Sequence, residues 1–265
     1  MSLPRRPLPF VLCASNHGTM IVNHKDHRMV SEGNGYGVGF QMLEQGSFDP
    51  EEVGLAMHFL NRRRQHFGDG VVAIDCGANI GVHTVEWARH MAGWGEVVAL
   101  EAQERIYYAL AGNIAINNCF NARALHAAVG AASGSMRIPQ PNYNQAASFG
   151  SLELKKGPRN EFIGQAIDYS DENCREVPVQ PLDALGLKRV DFIKIDVEGM
   201  ELEVLQGASG IIARHRPQML IEVIKSDSAQ LQAFLAAAGY KVFPSGINLV
   251  AIHAFDPTVS EVKMG

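Results

Sequence analysis

From Val71 onward, short apolar runs rich in β-branched residues alternate with stretches whose apolar residues recur at helical spacing, and few folds accommodate that rhythm. Val71-Val72-Ala73-Ile74 is the first run and ends at Asp75, and Val97-Val98-Ala99-Leu100 is the second and ends at Glu101. A third extends from Ala122 to Val129, a fourth from Val190 to Ile195 and a fifth from Met219 to Val223. Helical stripes separate them: Val82, Val85, Ala88 and Met91, then Ile106, Leu110 and Ile114, and later Leu231, Phe234, Leu235 and Ala238. Strands that are apolar throughout and spaced by helices predict a parallel sheet covered on both faces. Two last runs, Tyr240 to Phe243 and Asn248 to Ala254, flank Pro244-Ser245-Gly246, which is hairpin chemistry and predicts an antiparallel edge.

Two regions break the rhythm. Residues 1–69 read as an appendage, with one or two strands between Phe10 and Val22, a turn-like glycine stretch from Gly33 to Gly39, and a helix opening at Asp49-Pro50-Glu51-Glu52. That helix carries the stripe Val53, Met57, Leu60 and is expected to pack on the main sheet. Residues 70–265 form the principal domain, interrupted at 136–178 by a segment rich in Asn, Gln, Gly, Ser and Pro. A loop that long in a compact domain suggests a lid or a binding loop. Its Asn142, Tyr143, Asn144, Gln145 and Ser148 are neutral hydrogen-bonding residues of the kind that suits a polyhydroxylated ligand.

Composition excludes several classes. The 265 residues hold 23 Lys plus Arg against 28 Asp plus Glu, a net charge of −5, so no broad basic face for nucleic acid is expected. No apolar run approaches the ~20 residues of a membrane span. Met1 to Phe10 combines two arginines with three prolines and lacks the apolar core of a secretory leader. Cys13, Cys76, Cys119 and Cys174 are scattered and form no CxxC pair, which fits a reducing, cytoplasmic setting.

The chemistry concentrates in Asp75-Cys76-Gly77-Ala78-Asn79-Ile80-Gly81, directly after a strand and before a helix. Gly77 and Gly81 permit a tight turn, and the helix start beyond them offers free N–H groups and partial positive charge. Glu101 closes the next strand twenty residues after Gly81, the place from which an acid accepts both hydroxyls of a ribose. The loop lacks the full GxGxxG of a dinucleotide site, and Asp75 beside the glycines would repel a pyrophosphate. A ligand carrying an ammonium, a sulfonium, a carboxylate and a ribose matches better. That ligand is S-adenosylmethionine.

Three blocks then carry a family likeness: Ile74-Asp75-Cys76-Gly77-Ala78-Asn79-Ile80-Gly81, Phe192-Ile193-Lys194-Ile195-Asp196-Val197-Glu198-Gly199, and Glu203-Val204-Leu205-Gln206-Gly207-Ala208. With Pro181-Leu182-Asp183-Ala184-Leu185, they resemble the FkbM family of S-adenosylmethionine-dependent methyltransferases over roughly Val71 to Val223. The chain departs from many relatives where Ala102-Gln103 follows Glu101 in place of proline. The resemblance implies a Rossmann-like, seven-stranded, mostly parallel sheet with the cofactor across the carboxyl ends of its first strands. The cofactor set is then Asp75, Gly77, Asn79, Gly81, His83, Glu101, Ala102, Ala127 and Asp196, with the Ala127 backbone beside the adenine.

Asp196, Glu198 and Glu222 end strands or begin the loops beyond them, at the edge where open α/β sheets bind ligands, and are the candidate catalytic residues. Asp196 is expected to face the cofactor's methionine end or the transferring methyl. Glu198 reads equally as a base for an acceptor hydroxyl or as a cap for the helix starting near Met200. Glu222 with Lys225 reads as an ion pair or a substrate contact. Lys194 reads as a paired strand residue, His126 as structural, and Asn113 as solvent-facing. His24 and His27 are too few to hold a metal, and no metal is expected. The expectation is methyl transfer to a hydroxyl of a small-molecule or sugar-like acceptor, without nucleic acid or membrane. N-methylation, an NAD-dependent oxidoreductase on the same kind of sheet, and a non-catalytic binder are the alternatives.

Overall fold

The computed structural model describes residues 6–31, 33–158 and 160–261. Residues 1–5, part of the segment read above for a secretory leader, lie outside them. No described helix is long and apolar enough to cross a membrane. The chain divides into two compact units, Met1–Asp49 with Arg137–Arg175, and Pro50–Met136 with Glu176–Gly265.

In the first unit, β1 (Phe10–Ser15) and β2 (Gly18–Asn23) form an antiparallel hairpin, β3 (Arg28–Ser31) pairs with β4 (Asn34–Tyr36), and α1 spans Val38–Gln45. The segment 137–175 folds with these elements. Asp26 forms a β-bridge to Ala147, and its carboxylate accepts the N–H groups of Gly39 at 3.1 Å and Phe149 at 2.9 Å. Burial raises this carboxyl to about pKa 6 even against those backbone donors. The appendage and the insert, separate features in the sequence, are therefore two halves of one unit.

The second unit contains α2 (Pro50–Phe67), β5 (Val71–Cys76), α3 (Val82–His90), β6 (Gly95–Glu101), α4 (Glu104–Ile116), β7 (Ala122–His126) and β8 (Ala128–Val129). The chain passes to the first unit along β9 (Gly134–Pro139) and returns along β10 (Cys174–Gln180). Then follow β11 (Phe192–Ile195), α5 (Glu201–Gly207), α6 (Ser209–His215), β12 (Gln218–Glu222), α7 (Ser228–Ala237), β13 (Tyr240–Ser245) and β14 (Asn248–His253).

The main sheet has seven strands in the order β13-β14-β12-β11-β5-β6-β7. β14 alone runs against its neighbours, so the expected antiparallel edge hairpin is present. The third apolar run splits, however. The Ala127 N–H takes the Glu101 carbonyl at 3.1 Å, ending the ladder of β7, and Ala128–Val129 turns away to pair in parallel with Val179–Gln180.

The 1–69 boundary also moves, because α2 belongs with the sheet. Phe59 stacks on Phe192 at 6.1 Å, and Arg63 reaches Asp191 at 3.2 Å and Asp256 at 2.7 Å. All three groups of that ion network are buried. Removing one member of a buried pair leaves charge uncompensated, which costs about 3–5 kcal/mol. Arg63→Met is therefore expected to lower unfolding stability by about that amount in urea titration, whereas loss of less than about 1 kcal/mol, the range of a surface pair, would refute the anchoring role.

Candidate active site

The glycine loop is built by close approach within the protein. A Cβ on Gly77 would lie 1.7 Å from the Asp196 carbonyl oxygen, and one on Gly81 would lie 2.5 Å from Leu110 Cδ1. Both glycines have left-handed φ, 78° and 86°, so a side chain would be strained there as well as crowded. Asn79 is also left-handed, at φ 50°, and its Oδ1 accepts the Ile80 N–H at 2.7 Å. The loop is held to β6 by the Leu100 carbonyl, which accepts the N–H groups of Gly77 and Ala78 at 3.0 Å each.

The two acids expected at this loop sit on different sides of it. Asp75 is buried beneath, where the Thr84 hydroxyl donates to Oδ2 at 2.6 Å and ties the start of α3 to the sheet. Glu101 spans the loop: Oε2 accepts the Asn79 N–H at 2.9 Å, and Oε1 accepts the Gln103 N–H at 2.7 Å. Burial raises Glu101 to about pKa 7, outweighing those backbone donors, with the Asp196 charge adding to the rise. Ala102 and Ala127 are buried next to it in sequence and ladder. Three N–H groups at the start of α3, from Val82 to Thr84, have no acceptor within the helix, as at any helix start.

His83 is committed elsewhere. Its Nε2 lies 3.2 Å from Glu52 Oε1, and its ring meets Trp87 edge-on at 5.5 Å, so it contacts α2 instead of offering itself to a ligand. Asn113, expected in solvent, is fully buried and donates to the Ile80 carbonyl at 2.8 Å, bracing the glycine loop from α4. His126 is structural as expected, stacked on Tyr107 at 5.1 Å with Nε2 3.0 Å from the Ala102 carbonyl.

The catalytic candidates do converge. Ligand-capable oxygens of Asp196, Glu198 and Glu222 all lie within 4.8 Å of one another. Lys194 Nζ donates to Asp196 Oδ2 at 2.7 Å, and Lys225 Nζ pairs with Glu198 Oε2 at 2.7 Å. Lys225 thus serves Glu198. Glu198, with φ 57°, does not cap α5, whose first turn has no side-chain cap; Glu201 Oε1 instead ties down the preceding loop, accepting the N–H groups of Val197 at 3.2 Å and Gly199 at 3.1 Å. Three carboxylates at this spacing can hold a divalent cation, although two ammonium groups already compensate them here.

Crowding sets their proton affinities. Burial raises Glu198 to about pKa 8, with Asp196 adding and Lys225 opposing. Burial and the charges of Asp196 and Glu198 raise Glu222 to about 9, only partly offset by Lys194. Lys194 is buried, which opposes its charge, yet Asp196, Glu52 and Asp75 more than restore it and keep it an ammonium. Sequence reasoning passed over Lys194 and Glu52 as functional residues; alternation along β11 places Phe192, Lys194 and Asp196 on one face and was the available signal.

The residues of the 137–175 segment that suited a polyhydroxylated ligand are largely occupied by their own fold. Asn142 Oδ1 accepts the Asn144 N–H at 3.1 Å, and buried Ser148 shares a hydrogen bond with Ser151 at 2.9 Å. The Tyr143 ring meets Phe149 at 4.9 Å, and its carbonyl accepts from Asn23 at 3.0 Å.

Residues 75–242 match the methyltransferase FkbM domain. Methyltransferase 1 of Beauveria bassiana (strain ARSEF 2860) is 27% identical over 188 residues, 66% of this chain and 74% of that protein. Methyltransferase sdnD of Sordaria araneosa is 28% identical over 153 residues, 51% of this chain and 59% of that protein. A crystal structure of methyltransferase FkbM from Methylobacillus flagellatus KT has a TM-score of 0.48 at 17% identity, covering 72% of this chain and about half, 48%, of that one. The domain match embraces the glycine loop, Glu101 and the three-acid cluster and more than half of the sequence, and on that ground the chain belongs to the FkbM family of methyltransferases.

Proposed function

We propose that this protein transfers the methyl group of S-adenosylmethionine to a hydroxyl of a small-molecule or sugar-like acceptor. The observation that carries this reading is the juxtaposition, at the carboxyl ends of β5, β6, β11 and β12, of a ribose acid with a crowded carboxylate cluster. The donor set fits the cofactor. Glu101 would hold the ribose hydroxyls, the N–H groups at the α3 start would hold the carboxylate, and Asp196 would face the cationic methionine end. When bound, the cofactor supplies an electrophilic methyl on sulfur. The chain must align an acceptor oxygen with it, exclude water and take up a proton.

Glu198 and Glu222 are the groups placed to take that proton. With apparent values near 8 and 9, they are stronger bases than ordinary carboxylates and suit a hydroxyl better than an unshifted acid would. The shifts belong to the cluster as a unit, so removing one carboxylate relieves the other. Asp75 fixes the loop from below and needs no contact with the ligand to do so. Transfer to nitrogen instead of oxygen would need no base in the methyl-transfer step, which makes the pH profile informative about the acceptor atom.

Two outcomes are expected. Because the raised acids must be ionised to accept a proton, kcat/KM should rise with pH through about 8–9. Glu222→Gln should lower kcat by about 100-fold or more, the scale of lost general-base help, and move the rise to lower pH; an unaltered profile would dismiss the base role. Glu101 binds ribose best when ionised, so affinity for S-adenosylhomocysteine should improve from pH 6 to 8, levelling above its free-protein value of about 7. Glu101→Gln should bind at least tenfold more weakly with no such trend. Titration calorimetry with S-adenosylhomocysteine and with NAD tests both points, and preference for NAD would overturn the assignment.

A further inference from the structure

The FkbM match begins at residue 75 and ends at 242, yet a buried ion network enters the candidate site from outside those limits. Glu52, in the first turn of α2, lies 3.6 Å from Lys194 Nζ through Oε1. The same Oε1 is 3.2 Å from His83 Nε2, and Oε2 accepts from Asn248 Nδ2 at 2.7 Å. Lys194 passes the interaction on to Asp196 Oδ2 at 2.7 Å. Side-chain exposure is 16% for Glu52, 7% for Lys194 at the centre of the chain of contacts and 28% for Asp196. Only the last of the three opens substantially to solvent.

A network of this kind is poor value as a stabiliser. Burying an ammonium with carboxylates roughly offsets Coulomb gain by desolvation, and well-packed apolar replacements are often neutral or stabilising. The geometry has a more specific consequence. Glu52, fixed from two sides by His83 and Asn248, fixes the Lys194 ammonium. Lys194 in turn holds one oxygen of Asp196, Oδ2. Burial alone would push the Glu52 carboxyl up, but its three partners pull it down to about 2, so this brace stays charged over the working range of pH.

We propose that Glu52 and Lys194 are positioning residues that hold the Asp196 carboxylate in one orientation, toward the positively charged methionine end of the methyl donor. This rests on the reading of S-adenosylmethionine as cofactor. Neither residue touches the donor; both act through Asp196. The sulfonium of S-adenosylmethionine carries a charge that the thioether of S-adenosylhomocysteine lacks, so an oriented carboxylate should favour the former. The two ligands differ only in the methyl on sulfur and the charge it brings, and the change in their affinity ratio between variants reports this effect.

The test uses the full chain and needs no acceptor. Affinities for S-adenosylmethionine and S-adenosylhomocysteine are measured by calorimetry for the wild type, Glu52→Gln, Glu52→Gln/Lys194→Met, Asp196→Asn, and the last two combined. The paired substitution removes both buried charges together, so it is less disruptive than Lys194→Met alone, and Tm measurements identify any variant that fails to fold. Glu52→Gln supplies a milder second probe at a less buried position.

The expected result is a loss of preference for S-adenosylmethionine of at least fivefold in the paired variant. Asp196→Asn should give a similar loss, and combining them should add little, since residues acting through one group are not additive. Additive losses, or an unchanged ligand ratio in folded paired and Glu52→Gln variants, would overturn the proposal. If the wild type binds neither ligand, the cofactor reading itself fails, which is a distinct outcome from a normal wild type with indifferent variants.

Discussion

A buried ammonium at Lys194 organises the carboxyl ends of the central strands. Along one face of β11 the side chains run Phe192, Lys194, Asp196, passing from apolar to charged within three successive positions. α2 follows that face in the opposite direction. Arg63 meets Asp191, Phe59 stacks on Phe192 and Glu52 faces Lys194. α3 repeats the pattern, with Trp87 edge-on to Phe192 at 5.4 Å and His83 on Glu52. The aromatic contacts set the distance between helix and strand, and the ion pair at the open end inherits that register. A helix read in the sequence as part of an appendage is therefore a wall of the site.

The loop between β5 and α3 shows how tightly the backbone is set before any ligand arrives. Gly77 is required by the Asp196 carbonyl and Gly81 by Leu110, both neighbours within the protein. Glu101 then gathers the Asn79 and Gln103 N–H groups, while Asn113 takes the Ile80 carbonyl. Gln103 donates a backbone hydrogen bond to the acid just before it, so the Ala102-Gln103 departure from the usual family sequence leaves Glu101 firmly held. Preorganisation of this kind lowers the ordering cost of binding. The glycines matter to a ligand indirectly, by letting the loop close onto its own supports.

The parallel sheet, its edge hairpin and the convergence of Asp75, Glu101, Asp196 and Glu222 at one edge were legible because period and strand ends are local properties of a sequence. Other features depend on partners far away in the chain and leave no local mark. Asp26 looks like a spacer between two histidines, yet it joins residues 39, 147 and 149. Asn113 looks like a surface residue on a helix, and only tertiary packing of α4 on the loop buries it. Lys225 lies closer in sequence to Glu222, but the left-handed backbone at Glu198 carries that carboxylate to it instead. Glu201, three residues after Glu198, holds the loop before α5 because its side chain reaches back over the turn to the Val197 N–H.

Three glutamates near the carboxyl end of β11 illustrate how environment assigns roles to one residue type. Glu52 has His83, Lys194 and Asn248 as partners and falls to about 2. Glu198 has Lys225 but also Asp196 nearby, and rises to about 8. Glu222 has two acids as neighbours and only distant help from Lys194, and rises to about 9. All three are substantially buried, so desolvation pushes each of them upward and cannot by itself separate them. The difference is the balance of surrounding charge: the Asp196 carboxylate bears on both Glu198 and Glu222, whereas Glu52 is surrounded by groups that favour its ionised form. A carboxylate that cannot be protonated serves as a brace, and a carboxyl that holds its proton near neutrality serves as an acid or a base. Separation of the two roles follows from where β11 places Lys194, beside Glu52 of α2, and where the β12–α7 connection places Lys225, beside Glu198.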